Sequence, residues 1–316
     1  MLNQTKEQLK YALENYDQTG IGELYRGKVR NNYSLDDKIV MVTTDRISAF
    51  DKVLGTIPYK GQILTQIARF WFDRTEDIIQ NHIISYPDPQ VLVAKKAKTL
   101  PIEIIIRGYI TGSLWREYSR GINGQYGFMI ADNLNENQKF DQAIVTPSTK
   151  AEYGLHDEPI SREKIISGLV EESLYDKAVE CALQLFQNGQ EWAKTRGLIL
   201  VDTKYEFGTV DGELILVDEI HTPDSSRYWV ASEYEDRFSR GVGQNMLDKE
   251  NIRQWLLDRG FSGDGIPPEL TDEVRISLAE QYIELFELLT DKKFIPQNGQ
   301  VADRITHNLK KTGYLK

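Results

Sequence analysis

The chain has 316 residues, 40% of them hydrophobic and 27% charged, enough to bury a substantial core as one large domain or two smaller ones. A formal net charge of -10 argues against a general polyanion-binding surface, because nucleic-acid affinity rests on neutralising phosphates, yet a few local cations suffice for small phosphorylated ligands. The single cysteine, Cys181, excludes an intrachain disulfide framework; the apolar runs are too short to span a bilayer and residues 1–10 carry no secretory h-region, so a cytoplasmic protein with no membrane and no nucleic-acid partner is expected.

In chain order, residues 4–16 predict an amphipathic helix with Leu9, Leu13 and Tyr16 on one face, broken by Gly20 and Gly22. Strand-like runs follow at 23–33 and 38–44, then a helix over 62–80, where Ile63, Ile67, Phe70 and Trp71 recur at helical spacing. Tyr86-Pro87-Asp88-Pro89 ends that region, and strands are expected at 91–95 and 102–109. Residues 121–160, rich in Gly, Asn, Pro and Asp, predict a long irregular stretch. Ser161 is the expected N-cap of a helix reaching about Lys194, with Gly168 as an interruption. Strands at 198–204 and 213–217 are joined by the hairpin turn Asp211-Gly212, Asp224-Ser225-Ser226 resembles a helix N-terminus, and helices are expected near 249–258 and 271–290. The fold class is α+β.

Three segments carry chemistry. In the first, Arg26, Lys28 and Arg30 surround Gly27 between two strand-like runs; this is either a backbone that approaches a triphosphate or an exposed charged hairpin. In the second, Arg107 follows Ile104-Ile105-Ile106 and precedes Gly108, so its guanidinium needs an anion, a ligand phosphate or a structural carboxylate. Gly112-Ser113 then opens a helix, whose free N–H groups favour anions. In the third, strand alternation puts Asp202, Lys204 and Glu206 on one face after the apolar Leu198–Val201 run. The hairpin partner ends in Asp218-Glu219, so Glu206 and Asp218 approach each other as oxygen ligands suited to Mg2+. The four histidines lack metal-ligand spacing, and Cys181 is expected in a core. These residues point to an enzyme with several anion sites and a Mg-nucleotide site, and leave the substrate open.

Taken together, residues 100–113 and 200–208, with 45–51, 146–152 and 217–229, resemble the phosphoribosylaminoimidazole-succinocarboxamide synthase (SAICAR synthetase) family, in a longer form similar to the fungal enzymes. The resemblance runs from about residue 20 to about 260; Asn31-Asn32 departs from it, since many members carry an acidic residue there. It implies a SAICAR synthase-like fold: a kinase-like antiparallel-sheet N-terminal lobe (residues 1–98) packed on a larger α+β lobe with substrate site and C-terminal helices (99–316). The implied reaction joins L-aspartate to the carboxylate of carboxyaminoimidazole ribonucleotide (CAIR), using ATP and Mg2+. The alternatives are a kinase-like phosphotransferase on another metabolite and a non-catalytic nucleotide-binding protein.

By the match, Gly27, Lys28 and Arg30 cover the ATP phosphates, and the Lys95 and Ala97 segment offers backbone groups to adenine. Glu206 and Asp218 hold Mg2+, and Arg107, Ser113 and Arg227 grip the ribonucleotide phosphate. Asp202 and Lys204 contact the imidazole nucleotide near its reacting carboxylate, Lys150 and Asp157 close over the site, and Asp45 and Ser48 position aspartate. The 121–160 stretch is expected to act as a lid.

Overall fold

The computed structural model describes residues 2–50, 52–150 and 157–316. Asp51 and residues 151–156, which belong to two of the matching segments and to the expected lid, lie outside the described residues.

Helix α1 (Leu2–Gln8) runs into a single 3-10 turn, so the first helix is shorter than its periodicity suggests. Leu13 and Tyr16 lie beyond it and are nevertheless buried, in extended chain against the first sheet. The strand-like run 23–33 splits at residues 27–29 into β1 (Glu23–Arg26) and β2 (Arg30–Ser34), and β3 (Lys38–Thr43) follows. β4 (Arg46–Ala49) and β5 (Lys52–Thr56) form a separate antiparallel pair that the sequence patterning did not reveal. Helix α2 (Lys60–Arg74) ends six residues before the expected position, where Thr75 bonds back to the Trp71 carbonyl. Tyr86-Pro87-Asp88 lies inside a strand, β6 (Ile83–Asp88), and β7 (Val91–Lys95) pairs with it. The five-stranded antiparallel sheet has the order β1-β2-β3-β7-β6, so β6 is an edge, where proline's missing N–H breaks no ladder.

The second sheet begins with β8 (Lys98–Thr99) and β9 (Ile102–Tyr109), followed by α3 (Gly112–Tyr118). The 121–160 region contains two strands, β10 (Lys139–Val145) and β11 (Ser148–Thr149), which pair with β9 and give it more order than its composition suggests. Ser161 caps α4 (Arg162–Ile166) through its side chain, and a break around Gly168 separates it from α5 (Glu172–Thr195). β12 (Leu198–Val210) and β13 (Glu213–Val217) turn through Asp211 and Gly212, both at positive φ (53° and 86°), as a tight hairpin requires. Asp224-Ser225-Ser226 does not start a helix; it leads into β14 (Ser226–Val230). The 13-residue β12 organises the sheet, pairing with β14, β9, β13 and β8 along its length. Helices α6 (Tyr234–Ser239), α7 (Glu250–Leu257), α8 (Asp272–Thr290) and α9 (Val301–Lys311) complete the chain.

The main core joins Ile63, Ile67 and Trp71 of α2, Ala182, Leu185 and Phe186 of α5, Ile104 and Ile106 of β9, and Leu285 and Leu289 of α8. Cys181 is part of it. A second core packs Val301, Ile305 and Leu309 of α9 on Val40, Val42, Val91 and Val93 of the five-stranded sheet. The last helix is thus seated against the first sheet, and Arg304 ties it there through Asp88 (3.0 Å) and Gln90 (2.7 Å).

Candidate active site

Between the hairpin of residues 26–30, the face of β12 and helices α3 and α7 lies a cavity of about 630 Å³. Nine Lys or Arg and nine Asp or Glu line it among the described residues, so its wall is formally neutral while the chain as a whole carries -10.

One end is built by β12, β13 and the first hairpin. Period-two alternation points Asp202, Lys204 and Glu206 into the cavity and buries Tyr205 against His221 behind the sheet. Lys204 Nζ donates to Glu103 (2.6 Å) and to Glu206 (2.7 Å), and Lys150 donates to the second oxygen of Glu206. Burial opposes ionisation of Glu206, but Lys204 and Lys150 outweigh it and hold its carboxyl well below the ordinary range. Glu103 has the opposite balance: burial, against the pull of Lys204, pushes its carboxyl up to about 7. Asp218 follows β13 with φ at +67°, a left-handed conformation that costs about 1 kcal/mol or more away from glycine. This turn directs its carboxylate at Arg30, whose guanidinium also bonds Glu219 at 2.8 Å. Burial raises the Asp218 pKa, opposed by Arg30.

The other end is arginine-rich. Register places Arg107 of β9 and Arg227 of β14 on either side of Asp202. Arg107 donates through Nε to Thr146 (2.8 Å) and through Nη1 to Asp202 (3.3 Å), while Arg227 bonds Asp202 and reaches Glu250 at 3.4 Å. Gly112, at φ +60°, opens α3 beneath the Arg227 guanidinium; a Cβ there would lie 2.3 Å from Nη2. Ser113 in the first turn of α3 faces the same space, as do Arg116 one turn on and Arg253, which bonds Glu250 at 2.7 Å. Burial opposes ionisation of Glu250, but Arg227 and Arg253 hold its pKa at about 2.

The structure brings Gly27, Lys28, Arg30, Ser48, Arg107, Ser113, Lys150, Asp157, Asp202, Lys204, Glu206, Asp218 and Arg227 to this one cavity. Three expected residues lie elsewhere. Asp45 is fully buried, accepting from the Leu13 N–H (2.6 Å) and the Gly61 N–H (2.8 Å), and works as a structural acceptor rather than a wall of the cavity. Lys95 and Ala97 sit outside the lining, where the chain passes from β7 to β8; the Lys95 N–H is spent on the His82 carbonyl at 2.7 Å. Glu103, Arg116, Glu219, Lys249, Glu250 and Arg253 line the cavity but were not picked out from the sequence. Glu103 had a signal in the same strand pattern: it alternates with Ile104 and has the parity of Arg107 along β9.

The family model for SAICAR synthetase matches residues 23–267. The chain belongs to the SAICAR synthetase family. It is 49% identical over 296 residues to the phosphoribosylaminoimidazole-succinocarboxamide synthase of Bacteroides thetaiotaomicron, covering 92% of this chain and 94% of that one. It is 45% identical over 299 residues to the enzyme of that name from Legionella pneumophila, with 92% and 95% covered. Among solved structures, SAICAR synthase from Saccharomyces cerevisiae, complexed with SAICAR, superposes with a TM-score of 0.78 at 34% identity, covering 90% of this chain and 99% of that one. A SAICAR synthetase in complex with ADP superposes with a TM-score of 0.66 at 27% identity, with 86% and 100% covered. Segments 27–30, 107–113, 202–206 and 218–227 each contribute to this family member's cavity.

Proposed function

We propose that this protein ligates L-aspartate to the carboxylate of CAIR, forming SAICAR, ADP and phosphate in purine biosynthesis. The carrying observation is membership of the SAICAR synthetase family over more than nine-tenths of each chain in curated relatives, joined to a cavity walled by both anion-binding and carboxylate-rich ends.

The chemistry needs an activated carboxylate. The CAIR carboxylate attacks the γ-phosphorus of ATP, ADP leaves, and the aspartate amine then displaces phosphate from the acyl phosphate. Little covalent work falls to the protein, which positions the reactants and neutralises charge. Gly27, Lys28 and Arg30 cover the ATP phosphates. Arg107, Ser113 and Arg227 hold the ribonucleotide phosphate, at the end where a helix N-terminus and guanidinium groups converge. Asp202 and Lys204 face the imidazole, with Lys204 midway between Glu103 and Glu206 to stabilise negative charge on the reacting carboxylate. Lys150 and Asp157, which line the cavity, close over the site, and Ser48 is a contact for aspartate. The adenine contact of the Lys95 and Ala97 segment rests on the family match alone.

Mg2+ belongs to the same proposal. Glu206, inside β12, and Asp218, just past the end of the paired β13, offer hard oxygen donors, the ligand type Mg2+ takes in ones and twos together with substrate phosphates. Among the described residues no cluster of three or more potential metal ligands is assembled. When bound, the ion would offset phosphate charge that a formally neutral cavity does not. The proposal also includes a two-lobe division near residue 98, bridged by α2 and α9, and a cytoplasmic place of action. No helix among the described residues is long and apolar enough to cross a membrane.

The test is ADP release by the purified protein with Mg-ATP and CAIR, with and without L-aspartate, with mass detection of the product. Aspartate-dependent ADP release with succinocarboxamide formation supports the ligase; ADP release indifferent to aspartate, with a phosphorylated product, would replace it with a kinase-like phosphotransferase.

A further inference from the structure

We propose that Arg46, which lies outside the cavity, is a positioning residue for the nucleotide: it shapes the 27–30 loop by drawing the loop's carbonyl groups away from the phosphates. The inference rests on the proposed seat of the ATP phosphates under that loop.

Arg46 opens β4 and is only 5% exposed. Its Nη2 donates to the Gly27 carbonyl (2.8 Å) and, at 3.4 Å, to that of Arg30; its Nε donates to the Lys28 carbonyl (3.0 Å). The remaining carbonyl of the loop, on Val29, accepts from Thr44 through the backbone N–H (2.9 Å) and the hydroxyl (2.7 Å). Four consecutive carbonyl groups are therefore held by the 44–46 segment, and three of them by one side chain. A trans peptide places the N–H of the next residue opposite its carbonyl, so the N–H groups of Lys28 and Val29 lie on the face away from Arg46. Gly27, Lys28 and Val29 line the cavity and Arg46 does not, so that face is the cavity's.

A run of N–H groups turned one way is an anion-binding concavity, whereas carbonyl oxygens turned the same way would repel phosphate. A guanidinium spreads five donors over the three nitrogens of a rigid planar fork, whereas an ammonium has three on a single nitrogen and cannot reproduce the spacing of the Nε and Nη2 contacts. Arg46 Nη2 also bonds Asn31 Oδ1 at 2.9 Å, and Asn31 Nδ2 in turn donates to the Tyr16 carbonyl at 2.8 Å. Asn31, one of the two residues (Asn31-Asn32) at which the resemblance leads one to expect an acid, thus steadies the guanidinium that sets the loop, while Asn32 lines the cavity.

The experiment uses the full chain with Arg46→Lys, Arg46→Met and, as a control on the loop itself, Lys28→Ala. The readouts are half-saturation constants for Mg-ATP and CAIR, thermal midpoints, and amide hydrogen exchange at residues 27–30. Arg46→Lys should raise the ATP constant about tenfold, as expected for lost charge-assisted hydrogen bonds, while leaving that for CAIR within about twofold. Exchange at 28 and 29 should accelerate while the β12 sheet stays protected, and Arg46→Met should show the same pattern more strongly. If Lys28→Ala weakens ATP and neither Arg46 variant does, the positioning role is wrong and the loop's role stands. If Lys28→Ala leaves ATP unaffected, the seat of the phosphates is wrong and the positioning role falls with it. Equal weakening of ATP and CAIR in both Arg46 variants, with lowered midpoints, would reduce Arg46 to a structural residue.

Discussion

Replacing Lys60 with methionine should destabilise the protein by about 3 kcal/mol at neutral pH, at the lower end of the cost of orphaning one partner of a buried ion pair. Lys60 opens α2 with its side chain fully buried, and its Nζ sits 2.7 Å from Asp224 Oδ2, itself 3% exposed. The other Asp224 oxygen accepts from Tyr282 of α8 at 3.0 Å. Burial works against the Asp224 charge, yet Lys60 and then Lys249 hold its pKa at about 2 against an ordinary 3.8, worth on the order of 2 kcal/mol. Methionine matches lysine in length, so the packing change is small and the charge carries the effect. Lys249 still faces Asp224 in the variant, which keeps the loss near the low end. The pH dependence has a definite sign. In the parent, a depressed carboxyl pKa contributes stability that is present above the unfolded value and lost as pH falls towards about 2. In the variant the carboxylate keeps its burial without its main partner, so protonation relieves it. The difference between the two proteins should therefore be largest near pH 7 and shrink as pH falls through the range of an ordinary carboxyl. Urea midpoints at several pH values measure this, and Lys60→Met combined with Asp224→Asn should recover most of the loss. A difference independent of pH, or no recovery in the double variant, would refute the reasoning.

Arg107→Ala should weaken CAIR binding more than ATP binding in titration calorimetry, because Arg107 lies at the Asp202 end of the cavity and Arg30 at the other; equal losses would mark it as purely structural. Asp218→Asn should abolish Mg-dependent turnover while leaving circular dichroism unchanged, and near-normal turnover would remove Asp218 from the proposed metal site. Gly112→Ala should raise the KM for CAIR at least tenfold, since the added Cβ would lie 2.3 Å from Arg227 Nη2 and 2.6 Å from Cζ. The strain of φ +60° adds about 1 kcal/mol to its stability cost, read from the thermal midpoint; an unchanged KM would show that Arg227 can move without consequence.

Where one face of an element is buried, its period shows in the sequence. Strand β9 was legible to the residue because six of its eight positions are apolar or glycine, and the β12–β13 hairpin because only a turn such as Asp211-Gly212 tolerates two positive φ values. The alternation of Asp202, Lys204 and Glu206 likewise predicted their common cavity. What stayed hidden depends on distant contacts. Helix α9 has a strongly two-sided pattern, but its apolar face is explained only by the first sheet, more than 200 residues away in sequence. Pro87 reads as a stop until β6 is known to be an edge. Asp45 is assigned to aspartate by the family resemblance, not by any pattern of its own; only the fold shows its oxygens spent on the Leu13 and Gly61 N–H groups. Arg46, its neighbour in the same segment, reveals its partners only once the first hairpin folds back over it.

The mutual pairing inside the cavity makes the protein resemble a charged ion-exchange resin already carrying its counter-ions. Arg30 is occupied by Asp218 and Glu219, and Lys150 and Lys204 by Glu206. A phosphate that takes Arg30 leaves Asp218 and Glu219 without it, and a divalent cation that takes Glu206 and Asp218 leaves Lys150 without Glu206, while Lys204 keeps Glu103 and Arg30 keeps Glu219. When both arrive together the cation takes the Asp218 that the phosphate displaces, so fewer charges are stranded than by the two bound separately, and the affinities for the nucleotide and for its cation should rise together.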